Sequence, residues 1–376
     1  MSKVSTSLIA GVLVALILGT VIGYMVYPSM NPVIAKSEYD AKVTELNKAK
    51  ADLTKAQAQI TNLTKQKKVG LVLATGGLGD KSFNDISYVG AKKAEAELGI
   101  KLDFVQPKAI AEYEGYQRDF AKTGDYILII GIGFDQAEGL TKVAAEYPNQ
   151  KFAIVDMVVG KPNVLSLLFN ENEGSFLVGV VAGMLSKTGK LGFVGGLDIP
   201  LIRNFYVGYK AGAQWANSSV TVLDPVFVGD WSDPTKAKEL ALSLISSGVD
   251  GIYPAAGKSG LGALAACNET GINAFGYDSC MCYLYPEIKV SMTKRVDVAV
   301  YETIVSVLLG TFKGGLKSGG IVSKWVGCCR LVSELAFWER SFNFTHSALP
   351  SNITSKLTEA VMKISFGDII VPSGYG

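Results

Sequence analysis

From Val69 onward the chain alternates short apolar runs with helical stretches, and this pattern constrains the fold more than any other feature of the sequence. VGLVLAT, LDFVQ, YILIIGIGF, FAIVD, VLSLLF, LGFVGG, VTVLDPVFVG, GIYPAA and AFGYD read as strands. Between them, helices are predicted near 84–98, 113–122, 136–146, 173–186, 200–215, 234–247 and 260–269. Strands that are apolar along their whole length are buried on both faces, as in parallel sheets covered by helices. Roughly ten strands are too many for one open sheet in a chain of this size. The expected fold class is therefore α/β, with two doubly wound Rossmann-like lobes, and 376 residues leave room for both.

In doubly wound sheets, ligands meet the loops at the carboxyl ends of the strands. Here those loops carry GGLGDKSFN, GIGFDQ, Asp156, GGLDIP, VGDWSD, PAAGKSG and YDS. With two lobes face to face, the loops line a single cleft. Asp156 and Asp278 each end a strand, where a carboxylate accepts paired hydrogen bonds from a base edge or sugar hydroxyls, or else caps the next turn. Phe83, Phe134, Phe205 and Trp231 lie close by and either sandwich a planar ligand or fill the core. Ser82 reads equally well as a polar contact and as a helix cap.

Several activities are excluded. GGLGDKSFN has Ser82 where a dinucleotide fingerprint needs glycine, and GIGFDQ has Gln136 there. In GIYPAAGKS, Gly251 stands one place too early for a phosphate-binding loop. The only histidine is His346, read as a surface residue, so neither a His-based triad nor a multi-His metal site is expected. The net charge of +2 and the lack of a basic patch argue against nucleic acid. No catalytic residue, cofactor or metal is expected.

Val4 to Ala35 contains no charged residue, and its apolar part has the length of a membrane-crossing helix. Residues 1–36 are read as an uncleaved anchor or, less favoured, a signal segment. The reading places a single-pass chain in the cell membrane with the binding domain outside. Residues 37–67 lack Gly and Pro and repeat Leu46, Leu53 and Ile60 every seven residues. They are predicted to form a helical stalk that self-associates or a solvated helical spacer. Sequons at Asn62, Asn217, Asn268, Asn343 and Asn352 fit an outside location and mark candidate glycosylation sites. That location also permits disulfides among Cys280, Cys282, Cys328 and Cys329, the alternative being buried thiols. The CxC and CC spacings match no zinc pattern.

Taken in order, GGLGDKSFN, GFDQA, YPNQKFAIVD, LVGVVAGMLSKTGKLGFVGG, the run Pro200–Ala213, GDWSDPTKAKE, DGIYPAAGKSGLG, YDS and SMTKRVDVAVY resemble the basic membrane protein family of ABC-transporter substrate-binding proteins. The resemblance runs from about Val69 to the C-terminus. It implies a type I periplasmic-binding fold over 68–376, with lobe 1 at about 68–187 plus 279–312 and lobe 2 at about 188–278 plus 313–376. It also implies capture of a nucleoside, purine before others, for delivery to an ABC permease. A nucleoside or solute receptor, or a binder of another solute such as a sugar, are the alternatives. By the same resemblance Phe83 stacks on the base, with Ser82 and Asn84 beside it, and Asp156 reads the base edge. Phe205 and Trp231 supply rings from the second lobe, and Gly257, Asp278 and Lys294 form the ribose side. Cys280 replaces an acid usual in the family, Lys258 replaces a common glycine, and no cysteine for lipid attachment precedes Cys267.

Overall fold

The computed structural model describes residues 36–63, 67–331 and 344–375. The apolar run Val4–Ala35 lies outside the described residues. Helix α1 (Lys36–Leu63) forms where the glycine- and proline-free stretch predicts one.

Two sheets follow. The first is wholly parallel and has the order β12-β5-β4-β3-β1-β2. Its strands are β1 (Lys68–Val72), β2 (Lys101–Val105), β3 (Tyr126–Ile132), β4 (Phe152–Val155), β5 (Val164–Phe169) and β12 (Gly315–Gly319). Helices α2 (Phe83–Leu98), α3 (Tyr113–Thr123) and α4 (Ala137–Glu146) are its crossover connections. The second sheet has the order β13-β11-β10-β9-β6-β7, with β8 also paired to β6. It comprises β6 (Lys190–Gly195), β7 (Thr221–Val222), β8 (Val226–Phe227), β9 (Gly251–Ala255), β10 (Asn273–Gly276), β11 (Ile288–Lys294) and β13 (Val326–Cys328). Only β13 runs antiparallel to its neighbour. Helices α5 (Glu171–Leu185), α6 (Pro200–Ala216), α7 (Pro234–Ser246) and α8 (Gly260–Thr270) accompany this sheet. Predicted and observed helix ends agree to within about two residues, because glycine, proline and asparagine punctuate the same boundaries.

The expected lobe boundaries are corrected by the sheet order. Strand β11, at 288–294, pairs with β10 in the second sheet, although 279–312 was expected in lobe 1. Strand β12, at 315–319, pairs with β5 in the first sheet, although 313–376 was expected in lobe 2. Between them, α9 (Val296–Leu308) returns to the first lobe and packs on α2, with Gly90 against the Asp297 backbone. The chain thus passes from lobe to lobe after β5, after β11 and after β12. Alternation of strands and helices picks out the strands as far as β10, whereas β11, β12 and β13 are not among the predicted strands, and the pairing that assigns each to a sheet is a long-range choice.

Helices α5 and α6 cross with their backbones in contact. A Cβ built on Gly179 would fall on the Tyr209 carbonyl, and one on Gly212 would fall on the Phe176 carbonyl. This crossing is the spine of the second lobe, and Phe176, Leu177, Val180 and Tyr209 are buried around it.

All five cysteines are unbridged, so of the two readings left open for Cys280, Cys282, Cys328 and Cys329 the structure holds the free thiols. The Cys282 and Cys329 sulfurs are 3.6 Å apart, well beyond the ~2.05 Å of a disulfide. His346, expected at the surface, is half-buried, with its Nε2 3.2 Å from the Cys280 sulfur. Among the sequons, Asn352 is exposed, while Asn268 and Asn217 are half-buried. The Asn217 amide donates to the Gly183 carbonyl at 3.3 Å. Asn62 lies in α1, and Asn343 lies outside the described residues.

Candidate functional site

A cavity of about 660 Å³, part of it open to solvent, lies between the carboxyl ends of the two sheets. Its place between the lobes and its mix of aromatic and carboxylate side chains suit a small-molecule ligand. Loops after β1, β3 and β4 present Gly76, Phe134 and Asp156 from the first lobe. The second lobe answers with Phe205 from α6, Trp231 before α7, Gly257 after β9, Asp278 after β10, and Lys294 at the end of β11. Phe83 and Asn84 enter from the first turn of α2.

Lys294 forms the floor of the cavity and is almost fully buried. Its ammonium donates to Asp156 Oδ2 at 2.7 Å and lies 2.9 Å from Glu171 Oε1. It also stands 5.2 Å from the Phe83 ring centre, 5.1 Å from Phe169 and 5.7 Å from Phe205. Burial alone would favour the neutral amine. The carboxylates of Asp156, Glu171 and Asp278 outweigh it and hold the ammonium above its ordinary range. Burial pushes the Asp156 and Glu171 carboxyls up, while the Lys294 charge pulls against it. Burial likewise raises Asp278, to about 7, against the pull of Lys294.

Two carboxylate oxygens in this cavity are buried without a hydrogen-bond partner: Asp156 Oδ1 and Asp278 Oδ1. A buried polar atom left unpaired costs roughly 1–3 kcal/mol, so both positions call for a donor. Both aspartates also hold left-handed backbone, with φ of 70° and 59°. Strain of this kind persists where the surroundings enforce it, often at ligand clamps. For Asp278 the following residues enforce it: Ser279 Oγ donates to the Lys81 carbonyl at 2.6 Å, tying one lobe to the other. For Asp156 the enforcing contact is the Lys294 ion pair, which also bridges the lobes.

Aromatic rings surround the space above Lys294. Phe134 and Trp231 meet edge to face across the cleft at 6.4 Å. The Trp231 ring lies against Gly196, where any side chain would collide with it. Tyr277 Oη donates to the Gly257 carbonyl at 2.6 Å and fixes that glycine at a φ of +54°.

Of the residues singled out in the sequence, Phe83, Asn84, Asp156, Phe205, Trp231, Gly257, Asp278 and Lys294 line the cavity together. Ser82 does not; it is fully buried and makes no side-chain cap. The α2 N-terminus is satisfied instead by Asp80, which sequence reasoning passed over. Its carboxylate accepts from the backbone N–H of Ser82 at 3.0 Å, Asn84 at 2.8 Å and Asp85 at 3.1 Å. Asn84 Oδ1 in turn accepts from Ala74 N at 2.9 Å, so its side chain also shapes the β1 loop. Asp135 and Glu171 were also missed. Asp135 lines the cavity and accepts from Tyr113 Oη at 3.2 Å. An acid at the start of a predicted helix was the available signal for both Asp80 and Glu171.

Residues 67–360 match the family described as ABC transporter substrate-binding protein, PnrA-like. The chain is 36% identical to an uncharacterized lipoprotein of Pyrococcus horikoshii over 286 residues, covering 72% of this chain and 71% of the relative. It is 31% identical to basic membrane protein A of Borreliella burgdorferi, over 81% of this chain and 88% of that protein. Among solved structures, an ABC transporter system solute-binding protein of Aeropyrum pernix K1 superposes with a TM-score of 0.73 at 31% identity, covering 81% of this chain and 94% of that one. These findings correct the expected localisation. The Pyrococcus horikoshii relative is named a lipoprotein, and among the described residues no helix is long and apolar enough to cross a membrane. A single-pass anchor is therefore withdrawn.

Proposed function

The chain belongs to the family of PnrA-like ABC transporter substrate-binding proteins, and from that premise we propose that it captures a nucleoside between its lobes and hands it to an ABC permease. One observation carries the ligand class: two aspartates that line a cavity walled by aromatic rings each keep a buried carboxylate oxygen without a partner. A nucleoside offers both complements, a flat base for the rings and N–H or hydroxyl donors for the carboxylates. In this reading Phe83, with Phe134 and Trp231, sandwiches the base. Asp156 Oδ1 accepts from the base edge, and Asp278 Oδ1 accepts from a ribose hydroxyl. Lys294 holds the Asp156 carboxylate in place and opposes the protonation that burial favours.

Capture works by closure. A ligand that touches Asp156 on one lobe and Asp278 on the other interacts with both only when the lobes approach, and that difference in binding shifts the population toward the closed form. No chemical step is needed; closed and open forms present different surfaces to the permease.

Calorimetry of the full-length protein with a panel of purine and pyrimidine nucleosides tests this reading. Saturable binding of at least one nucleoside is expected, and Asp278→Ala should weaken it by about 10- to 100-fold through the loss of a buried hydrogen-bond partner. Asp156→Ala should do the same, with a stability loss besides because Lys294 loses a partner. Folded protein that binds no nucleoside but takes up a sugar would overturn the nucleoside assignment.

A further inference from the structure

Cys280, Cys282, Cys329 and His346 gather beside the turn that carries Asp278. Their sulfur and ring-nitrogen atoms all lie within 4.8 Å of one another. We infer that these four side chains form a tetrahedral Cys3His site for a zinc ion, which staples the C-terminal segment to the ligand-binding loop.

The geometry carries this. In a tetrahedron with ~2.3 Å zinc–sulfur arms, adjacent sulfurs sit about 3.8 Å apart. The Cys282–Cys329 separation is 3.6 Å, too long for a disulfide and close to that edge. Cys280 Sγ and His346 Nε2, at 3.2 Å, form another edge. The set is of the borderline-soft N/S kind that zinc prefers, and three thiolates with one imidazole close the coordination shell without leaving a place for substrate.

The surroundings hold each ligand in position. Ser291 N donates to the Cys329 sulfur at 3.3 Å, the kind of outer contact that orients a thiolate. Cys329 N donates to the Ser291 carbonyl at 3.0 Å, and Met281 N, between the two cysteines of the CxC, donates to Ser291 Oγ at 2.9 Å. Arg330 Nη1 donates to the Ser347 carbonyl at 2.6 Å and so pins the residue beside His346. The imidazole packs on Phe344 with ring centres 4.4 Å apart. Cys280 and Cys329 are fully buried, and Cys282 and His346 are half-buried, which suits a closed structural site.

Spacing along the chain conceals the cluster. Cys280 and Cys282 flank one residue, Cys329 follows β13, and His346 arrives 66 residues after Cys280. The four join the β10–β11 loop, the antiparallel edge strand and the segment leading to α10 (Ser351–Phe366). Because Asp278 precedes Cys280 by two residues, a bound ion fixes the turn that presents it.

The test is metal content of the full-length protein after loading with zinc and exhaustive dialysis. About one zinc per chain is expected, falling at least fivefold in Cys329→Ser and in His346→Ala and staying unchanged in Cys267→Ser, whose buried thiol lies outside the cluster. Cobalt(II) in place of zinc should give the sulfur charge-transfer and visible bands of a tetrahedral thiolate site in the unmutated protein, a readout that survives if a variant fails to fold. Less than about 0.1 metal per chain in the unmutated protein, with no cobalt–sulfur bands, overturns the inference. So does a Cys282–Cys329 disulfide in the purified chain. Nucleoside affinity is measured separately, so failure of either reading leaves the other standing.

Discussion

Lys294→Met is expected to abolish the proposed nucleoside binding and to lower folding stability by about 3–5 kcal/mol, the range for a buried ion pair that loses one partner. The substitution keeps the length and much of the volume of the side chain while removing its charge. Two carboxylates within 3 Å of the lost ammonium, on Asp156 and Glu171, are then left buried without it, with Asp278 close by. They respond by binding protons, which costs less than burying bare charge. Protonated Asp156 no longer offers a charged acceptor to the base edge, so binding falls together with stability. A denaturant titration at neutral pH reads the stability change, and calorimetry reads the binding change. A variant that loses stability yet binds normally would show that the ammonium serves the fold alone. Restoring the charge with Lys294→Arg should recover little. A planar guanidinium is larger than the ammonium and meets Phe83, Phe169 and Phe205 close on three sides.

Gly212→Val is expected to cost about 4 kcal/mol or more, enough to leave much of the protein unfolded at ordinary temperature. The added Cβ falls on the Phe176 carbonyl, and backbone cannot step aside as a side-chain tip can. The two helices must separate, and that opens the buried layer formed by Phe176, Leu177, Val180 and Tyr209. Gly115→Ala is the matched control. Gly115 lies inside α3 with open space around its Cβ position, so alanine should stabilise by roughly 0.5–1 kcal/mol through helix propensity. Thermal and urea unfolding of the two variants side by side would give shifts of opposite sign. If Gly212→Val is tolerated like Gly115→Ala, the close crossing of α5 and α6 is not a feature of the native protein.

The sequence discloses the strands as far as β10 because buried parallel strands need apolar side chains on both faces, as YILIIGI between glycines has. It discloses much of the cleft for a related reason: loops at strand ends are the only places where Asp156, Asp278 and the Phe83 turn can meet a ligand. What it conceals is decided by distant partners. Ser82 looks like the cap of α2, yet Asp80 reaches the same N–H groups from two residues earlier. Glu171 looks like an ordinary acid in the first turn of a helix. Its meaning comes from Lys294, which lies on another strand far along the chain. The lobe assignment of 279–319 fails in the same way: neither β11 nor β12 is among the predicted strands, and their sheets are set by the distant partners β10 and β5.

The placement of β12 has a consequence for synthesis on the ribosome. The first sheet begins with the strand at 68–72 but gains its sixth strand only when 315–319 has emerged, after nearly all of the second lobe has been made. Until then β5 presents an open edge to whatever chain is nearby. The lobe translated first is therefore completed late, and a chaperone or the nascent second lobe has to guard that edge in the interval. Truncation anywhere before residue 319 leaves the same edge exposed permanently, so a fragment carrying the first lobe alone is expected to aggregate instead of standing as an independent half.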